Sequence, residues 1–88
     1  MKRNYDDPVY KDWRLKVLKR DGFKCQMPRC RNIKNLQVHH IKKWSSASIL
    51  RYEVSNGITV CRSCHQEVNR NELYYESLFT EIVRRKNV

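Results

Sequence analysis

The stretch that decides the fold is Leu36 to His65, which reads LQVHHIKKWSSASILRYEVSNGITVCRSCH. It begins with a strand-like segment that ends in the histidine pair His39-His40. A polar connection then leads to Asn56-Gly57 and a short β-branched segment, and a Cys-x-x-Cys pair precedes the last histidine. The cysteines are typical of half a metal site. The histidines and the asparagine have the composition of a hydrolytic site.

The segment Leu36 to Ile41 alternates as a strand does, and successive side chains of a strand point to opposite faces. His39 and His40 are therefore expected to serve different purposes, because a regular strand cannot direct both to one side. A second short strand is predicted over Ile58–Val60, which makes residues 36–60 a hairpin with a broad loop. Asn56-Gly57 is read as a turn within it.

Helices are predicted on both sides of the hairpin. Asp7-Pro8 has the form of an N-cap followed by proline at the first helical position, and a helix is expected from Pro8 to Arg20, closed by Gly22. Trp13 on this helix is expected in the core. A second helix is predicted over Arg62–Arg70.

The last helix is expected over residues 72–86, with an apolar stripe at helical spacing that is more typical of core packing than of an interface. The stripe comprises Tyr75, Leu78, Phe79 and Ile82.

A chain of 88 residues is expected to gain only a thin margin of stability from an apolar core. Four cysteines are available as a staple, as two disulfides or as one metal site. The charged N-terminus has no apolar run after it, which predicts no signal peptide, and no segment approaches the ~18–20 apolar residues of a membrane span. We therefore expect a cytoplasmic protein whose reduced thiols bind zinc, with disulfides or free thiols as the alternative.

The charge is unbalanced, with 19 Lys and Arg against 9 Asp and Glu and a formal net charge of +10. A basic excess of this size predicts a polyanionic partner, and nucleic acid is the first candidate because each neutralised phosphate releases a counterion. The alternative is that the charge only keeps a small protein in solution. The basic candidates for phosphate contacts that flank the histidines are Lys42, Lys43, Arg51 and Arg62.

The first cysteine pair, Cys25 and Cys30, has the spacing of a knuckle, a turn that directs two thiolates at one metal. Together with Cys61 and Cys64 it supplies the four soft ligands of a structural zinc site. Zinc binding of this kind is coupled to folding and contributes on the order of 10 kcal/mol. Because His65 directly follows Cys64, a Cys3His site is the alternative.

The order of these residues resembles the HNH endonucleases, the ββα-metal nuclease family. His39-His40-Ile41 is similar to the first motif of the family, Asn56-Gly57-Ile58 to the middle motif and His65 to the final histidine. Eight residues separate Asn56 from His65, an interval that fits the family closely. The cysteine pairs resemble the structural zinc site of many members, and Arg20-Asp21-Gly22 resembles the end of the helix before that site.

The resemblance implies a metal-dependent DNA endonuclease that hydrolyses phosphodiester bonds to a 3′-hydroxyl and a 5′-phosphate. It assigns His39 and His65 to one divalent ion, with Asn69 as a further ligand, and it makes His40 the general base that activates water. Asn56 is expected to orient the hairpin through backbone near His40. The catalytic ion is expected to be Mg2+, Mn2+ or another divalent transition metal, beside the structural Zn2+.

The resemblance also implies the architecture, a small zinc-stabilised α+β domain with a treble-clef-like ββα-metal core flanked by an N-terminal and a C-terminal helix. One domain is expected over residues 1–88, with 1–7 flexible, a core of about 10–70 and a final helix of about 72–86. The expected partner is double-stranded DNA. Members this short resemble phage or mobile-element nucleases, so a packaging or recombination protein is a candidate partner in a host cytoplasm.

Two departures from the family pattern bear on function. His39 stands where many members have Asp, which makes a nitrogen-rich site and leaves the preferred ion open. Asn69 stands where some members have a second histidine, and its amide oxygen is a weaker ligand. A non-catalytic zinc-ribbon or treble-clef module that binds nucleic acid is an alternative, and an adaptor acting through the last helix is another. His40 distinguishes the endonuclease from the binding module, because a binding module needs no unligated histidine beside a metal-binding one.

Overall fold

The computed structural model describes residues 7–42 and 51–86. In these ranges helix α1 spans Pro8–Arg20, strands β1 and β2 span Leu36–His40 and Gly57–Cys61, and helices α2 and α3 span Arg62–Arg70 and Glu72–Lys86. The strands pair antiparallel and α2 follows β2 directly, so the predicted α+β class and the ββα order are confirmed. Flexibility was predicted for residues 1–7, of which 1–6 lie outside the described residues.

The first helix begins and ends where its local signals predict. The Asp7 carboxylate accepts a hydrogen bond from the Val9 amide at 2.9 Å and so satisfies an otherwise unpaired donor of the first turn. At the other end, the amide of Phe23 donates to the Leu18 carbonyl at 3.0 Å, and Gly22 has a φ of +67°. This left-handed closure suits glycine because it has no Cβ.

The hairpin is packed on both faces. His40 lies opposite Gly57 and His39 lies opposite Ile58 in the register of the two strands. Ile58 and Val60 are fully buried in a core that α2 and α3 complete with Val68, Phe79 and Val83. The other face receives α1 through the buried side chains of Trp13 and Val17. Each histidine of the pair is thereby directed toward a different helix.

Helix α3 packs as its apolar stripe predicts. Phe79 is 0% exposed and Val83 is 2% exposed, and Tyr75, Leu78 and Ile82 pack partly buried against the same core.

Among the described residues, none of the helices is long and apolar enough to cross a membrane.

Gly57 corrects one reading of the sequence. Asn56 ends a short 3-10 turn over Val54–Asn56, and Gly57 is extended, with φ −122° and ψ 148°, as the first residue of β2. A Cβ on Gly57 would lie 2.7 Å from a ring carbon of Trp13 and 2.7 Å from a methyl of Val17. The glycine is therefore required by the close approach of α1, and not by a turn.

A buried ion pair fastens the end of α1 to β2. The side chain of Asp21 is fully buried, accepts two hydrogen bonds from Arg20 at 2.9 Å, and accepts a third from the Thr59 amide at 2.9 Å. Arg20 in turn donates to the carbonyls of Val54 at 2.8 Å and Gly57 at 2.7 Å. Because these acceptors belong to the turn and strand that follow the broad loop, the pair fixes α1 against the start of β2.

Asp21→Asn is expected to lower the free energy of unfolding by about 2 kcal/mol, because the amide offers one acceptor oxygen where three donors converge. For a domain of this size the midpoint of thermal unfolding should fall by about 10 °C. Asp12→Asn is the matched control, since Asp12 pairs with Lys16 at the exposed surface and exposed pairs contribute little. Equal midpoints for the two variants would contradict this account of Asp21.

Candidate active site and metal centre

Four thiols converge between the loop after α1 and the start of α2. The Sγ atoms of Cys25, Cys30, Cys61 and Cys64 all lie within 4.8 Å of one another, and Cys30 Sγ is 3.9 Å from Cys61 Sγ. Four sulfurs bound to zinc at about 2.3 Å have neighbours about 3.8 Å apart at tetrahedral angles. In residues 7–42 and 51–86 this is the only group of three or more His, Cys, Asp or Glu side chains close enough to bind one ion. The donor set therefore fits a structural zinc ion, as predicted.

The local environment tunes these thiols differently. A hydrogen bond with the Ser63 hydroxyl is the main cause that lowers the pKa of Cys61 to about 6. Burial raises the pKa of Cys25 and that of Cys64 above the ordinary value. The thiolate is the form that binds a metal, so Cys61 is more ready to bind than Cys25 and Cys64, which depend on the charge of the ion to ionise.

Two histidine rings meet on the α2 face of the hairpin. The ring centroids of His39 on β1 and His65 on α2 are 5.2 Å apart, at an interplanar angle of 65°. Both side chains are half-buried, which leaves a route for solvent and substrate. The ring of Phe79 on α3 lies edge-on to His39 at 6.0 Å. His65 thus lies beside the other histidine, and the four thiols form a complete ligand set without it.

His40 is held on the opposite face of the hairpin. It is 7% exposed and stacks on Trp13, with ring centroids 4.2 Å apart and an interplanar angle of 17°. Its Nε2 is 2.9 Å from the Arg51 carbonyl. Because a carbonyl can only accept, Nε2 carries the proton in the neutral ring, and Nδ1 is then the nitrogen with the lone pair. Trp13 is itself fixed by donation from its Nε1 to the Glu53 carbonyl at 2.8 Å.

Asn56, at the end of the broad loop, is hydrogen-bonded to the two residues that follow His40. Its Oδ1 accepts from the Lys42 amide at 2.8 Å, and its Nδ2 donates to the Lys42 carbonyl at 3.4 Å. Its backbone carbonyl accepts from the Ile41 amide at 2.9 Å. The side chain is 4% exposed, so these bonds are protected from water. An asparagine here can fix the backbone within two residues of His40, the contact expected from the sequence.

The remaining predicted site residues have no side-chain contact with the histidines among the contacts described above. Asn69 is exposed on α2, one turn after His65. Lys42 pairs with Glu76 of α3 at 3.3 Å, and Arg62 is exposed at the first position of α2. Arg51 contributes its carbonyl to His40. Lys43, the other predicted phosphate contact, lies outside the described residues.

Sequence reasoning missed the residues that hold the histidines in place. Trp13 was predicted only as core, and Phe79 only as part of a helical stripe. For Arg20 and Asp21, which fasten α1 to β2, the available signal was a basic and an acidic residue directly before a helix-ending glycine. None of these signals identifies the residue that is contacted, because each contact is made with a distant part of the chain.

A sequence profile of a family described as HNH endonuclease matches residues 25–71, just over half of the 88 residues. The matched segment begins at the first cysteine and ends after α2. It includes every cysteine and histidine of the chain, and α1 and α3 lie beyond it. Searches of the curated proteins and of the solved structures gave no match.

Proposed function

The chain belongs to the HNH endonuclease family, and on this basis we propose that it is a metal-dependent endonuclease that hydrolyses phosphodiester bonds of double-stranded DNA. The observation that carries the proposal is the division of the histidines. His39 and His65 meet on one side of the hairpin, and His40 is held apart on the other. We also propose that residues 1–88 form one nuclease domain, in which α1 and α3 supply the packing that holds the matched segment.

His40 is the proposed general base. Donation from Nε2 to the Arg51 carbonyl leaves Nδ1 as the nitrogen that takes a proton from water. Stacking on Trp13 and the closure of the loop by Asn56 restrict the rotation of the ring, so the lone pair keeps one direction. A positioned base of this kind contributes typically about 10²–10⁴-fold to the rate.

His39 and His65 are the proposed ligands of the catalytic ion, with the amide oxygen of Asn69 as the third. The paired, half-buried imidazoles fit a divalent transition metal, because imidazole suits such ions better than it suits Mg2+. When bound, the ion neutralises charge on the scissile phosphate and stabilises the leaving oxygen. Phe79 packs against the ring of His39 and so limits the directions in which its nitrogens can point.

The basic surface supports DNA as the substrate. The formal net charge is +10, and Arg62 is exposed one helical turn before His65. By analogy with the short members of the family, we propose a 3′-hydroxyl and a 5′-phosphate as products. The same analogy suggests a phage or mobile-element setting in a host cytoplasm, with a packaging or recombination protein as a partner.

The proposal is tested by incubating supercoiled plasmid with the zinc-loaded protein and a series of added ions. Nicking or linearisation is expected with Mn2+, Ni2+ or Co2+, and weaker cleavage with Mg2+. If the protein binds plasmid but cleaves it with none of the added ions, a nucleic-acid-binding module is indicated instead. Absence of both would remove DNA as the substrate.

The ligand assignment is tested with His65→Ala and Asn69→Ala. His65→Ala should reduce cleavage about 100-fold or more, because a shared ion loses one of its two imidazoles. Asn69→Ala should reduce cleavage less, by about 10-fold. Asn69→His should match or exceed the wild-type rate at low metal concentration. Gln66→Ala, at an exposed position of the same helix, is the matched control and should cleave as the wild type does. Full activity of His65→Ala would contradict the assignment.

A further inference from the structure

The loop that carries the first two cysteines is an uncompensated cationic surface. The chain has no Asp or Glu between Asp21 and Glu53. We call residues 24–34 the cationic knuckle, since four of its side chains are basic and exposed. They are Lys24, Arg29, Arg31 and Lys34.

Several basic side chains on α1 and α3 are, by contrast, paired with nearby acids. Lys16 pairs with Asp12 at 2.9 Å, and Arg84 and Arg85 pair with Glu81 at 2.7 Å and 3.2 Å. Within residues 7–42 and 51–86, none of the four basic residues of the cationic knuckle has such a partner. The positive charge of the helices is thus partly compensated locally, and that of the knuckle is available to a ligand.

Arg29 occupies a backbone position that disfavours its own residue type. Pro28 and Arg29 are the central residues of a turn closed by donation from the Cys30 amide to the Met27 carbonyl at 3.0 Å. Arg29 has a φ of +68°, and proline followed by a residue with positive φ is the pattern of a type II turn, which favours glycine at the second place. The backbone of the turn does not favour arginine at this exposed tip. We therefore attribute the presence of Arg29 to a function of its side chain.

The knuckle is joined to the start of α2 and so to the histidine site. The Arg62 amide donates to the Asn35 carbonyl at 3.0 Å, which places Arg62 beside the end of the knuckle. Arg62 lies three residues before His65, so both occupy the same side of α2. From Asn35 to His39 the strand covers about 13 Å at about 3.3 Å per residue. Measured along the axis of a DNA duplex, that length corresponds to roughly four nucleotides of one strand, each with a rise of about 3.4 Å.

We propose that the cationic knuckle is a phosphate-binding surface that holds the backbone of duplex DNA beside the histidine site, with Arg29 at its tip and Arg62 between the two. This inference rests on the proposed function, because it takes DNA as the substrate. The metal-binding turn then has two purposes, since the zinc site that stabilises the fold also holds in place the backbone that carries the arginines. Rigid placement lowers the entropy lost when DNA binds.

The test compares Arg29→Gly/Arg31→Gln with Arg84→Gln/Arg85→Gln, because both variants lose two positive charges and only the first alters the knuckle. Binding to a short DNA duplex is measured by fluorescence anisotropy over a range of salt concentrations without added catalytic ion. The knuckle variant should bind about 10-fold more weakly at 0.1 M salt, and its salt slope should fall by about 1.8, at roughly 0.9 for each phosphate that is no longer neutralised. The control variant should change the slope by less than about 0.5.

Two further measurements separate binding from folding. Arg29→Gly alone should leave the thermal midpoint and the zinc content unlowered, since glycine suits the positive φ. It should nevertheless weaken DNA binding, and Arg29→Lys should restore most of the affinity. In cleavage assays the knuckle variant should raise KM about 10-fold and leave kcat within about twofold.

Equal losses in the knuckle and control variants would overturn the inference, because net charge alone would then explain them. Unchanged binding by the knuckle variant, with a wild type that binds and nicks DNA, would overturn it and leave the proposed function intact. A wild type that neither binds nor nicks DNA would overturn both.

Discussion

Cys61→Ser is expected to unfold the protein. Cys61 is 1% exposed at the end of β2, and its Sγ belongs to the group of four thiols that lie within 4.8 Å of one another. A structural zinc ion contributes on the order of 10 kcal/mol to folding, and the total stability of a small domain is only about 5–15 kcal/mol. Loss of one of four ligands should therefore remove most of the margin. Far-UV circular dichroism should show loss of helix, and metal analysis should show loss of zinc.

The position of the zinc site explains why the effect is expected to be global. Cys25 and Cys30 are in the loop after α1, Cys61 ends β2, and Cys64 lies in α2. The ion would thus join three parts of the chain whose apolar contacts form one core. A chelator added to wild-type protein should produce the same unfolded spectrum, and added Zn2+ should reverse it.

Ser63→Ala is the matched control for this prediction. Ser63 is exposed, and its hydroxyl lies 3.5 Å from Cys61 Sγ without belonging to the four-thiol group. This variant should retain its helical spectrum and one zinc per chain. A folded Cys61→Ser protein that also retains one zinc per chain would remove the structural role assigned to the cysteines.

The elements whose signals are local were predictable from the sequence. Asp7-Pro8 and Gly22 mark the ends of α1, and the bounds of that helix agree with the prediction. The alternation of Leu36 to Ile41 predicted that His39 and His40 face apart, and the structure places their rings against different helices. Such features depend on neighbours within a few residues, so they can be read without knowledge of the fold.

The supports of the site depend on long-range contacts and were not predictable in the same way. Gly57 was read as a turn residue because nothing in the sequence reports that Trp13 approaches it closely. The acceptor for His40 Nε2 is the backbone carbonyl of Arg51, and a carbonyl is present at every position whatever the side chain. Phe79 contacts His39 from a helix beyond the matched family segment. Each of these contacts is fixed only when the whole chain packs.

The contribution of α3 follows from the same contacts. Its Glu76 pairs with Lys42 at 3.3 Å, at the start of the broad loop, and its Phe79 is buried against the core. The helix therefore contacts both the start of that loop and one of the proposed metal ligands. A protein that lost α3 would lose Phe79 and Val83 from the core that contains Ile58 and Val60, so the segment matched by the family is not expected to be stable alone.

His40→Gln and His40→Ala are expected to lower the rate of DNA cleavage by about 10²–10⁴-fold, or about 3–5 kcal/mol in activation free energy. The reason is that neither side chain can accept a proton from water as imidazole does. His40→Gln is the more informative of the two. Its amide can still donate to the Arg51 carbonyl, and its volume limits the cavity that alanine would leave beside Trp13.

The measurement is single-turnover nicking of supercoiled plasmid at saturating protein in the most effective ion, with DNA affinity and zinc content measured on the same samples. Both His40 variants should retain wild-type DNA affinity and one zinc per chain, because His40 lies apart from the four thiols and is buried against α1. His39→Gln should differ in kind, since added transition metal should partly restore its rate, whereas no metal concentration should restore His40→Gln. If His40→Gln nicks DNA within a few-fold of the wild type, then another group activates the water, and the division of the three histidines into two ligands and one base is wrong.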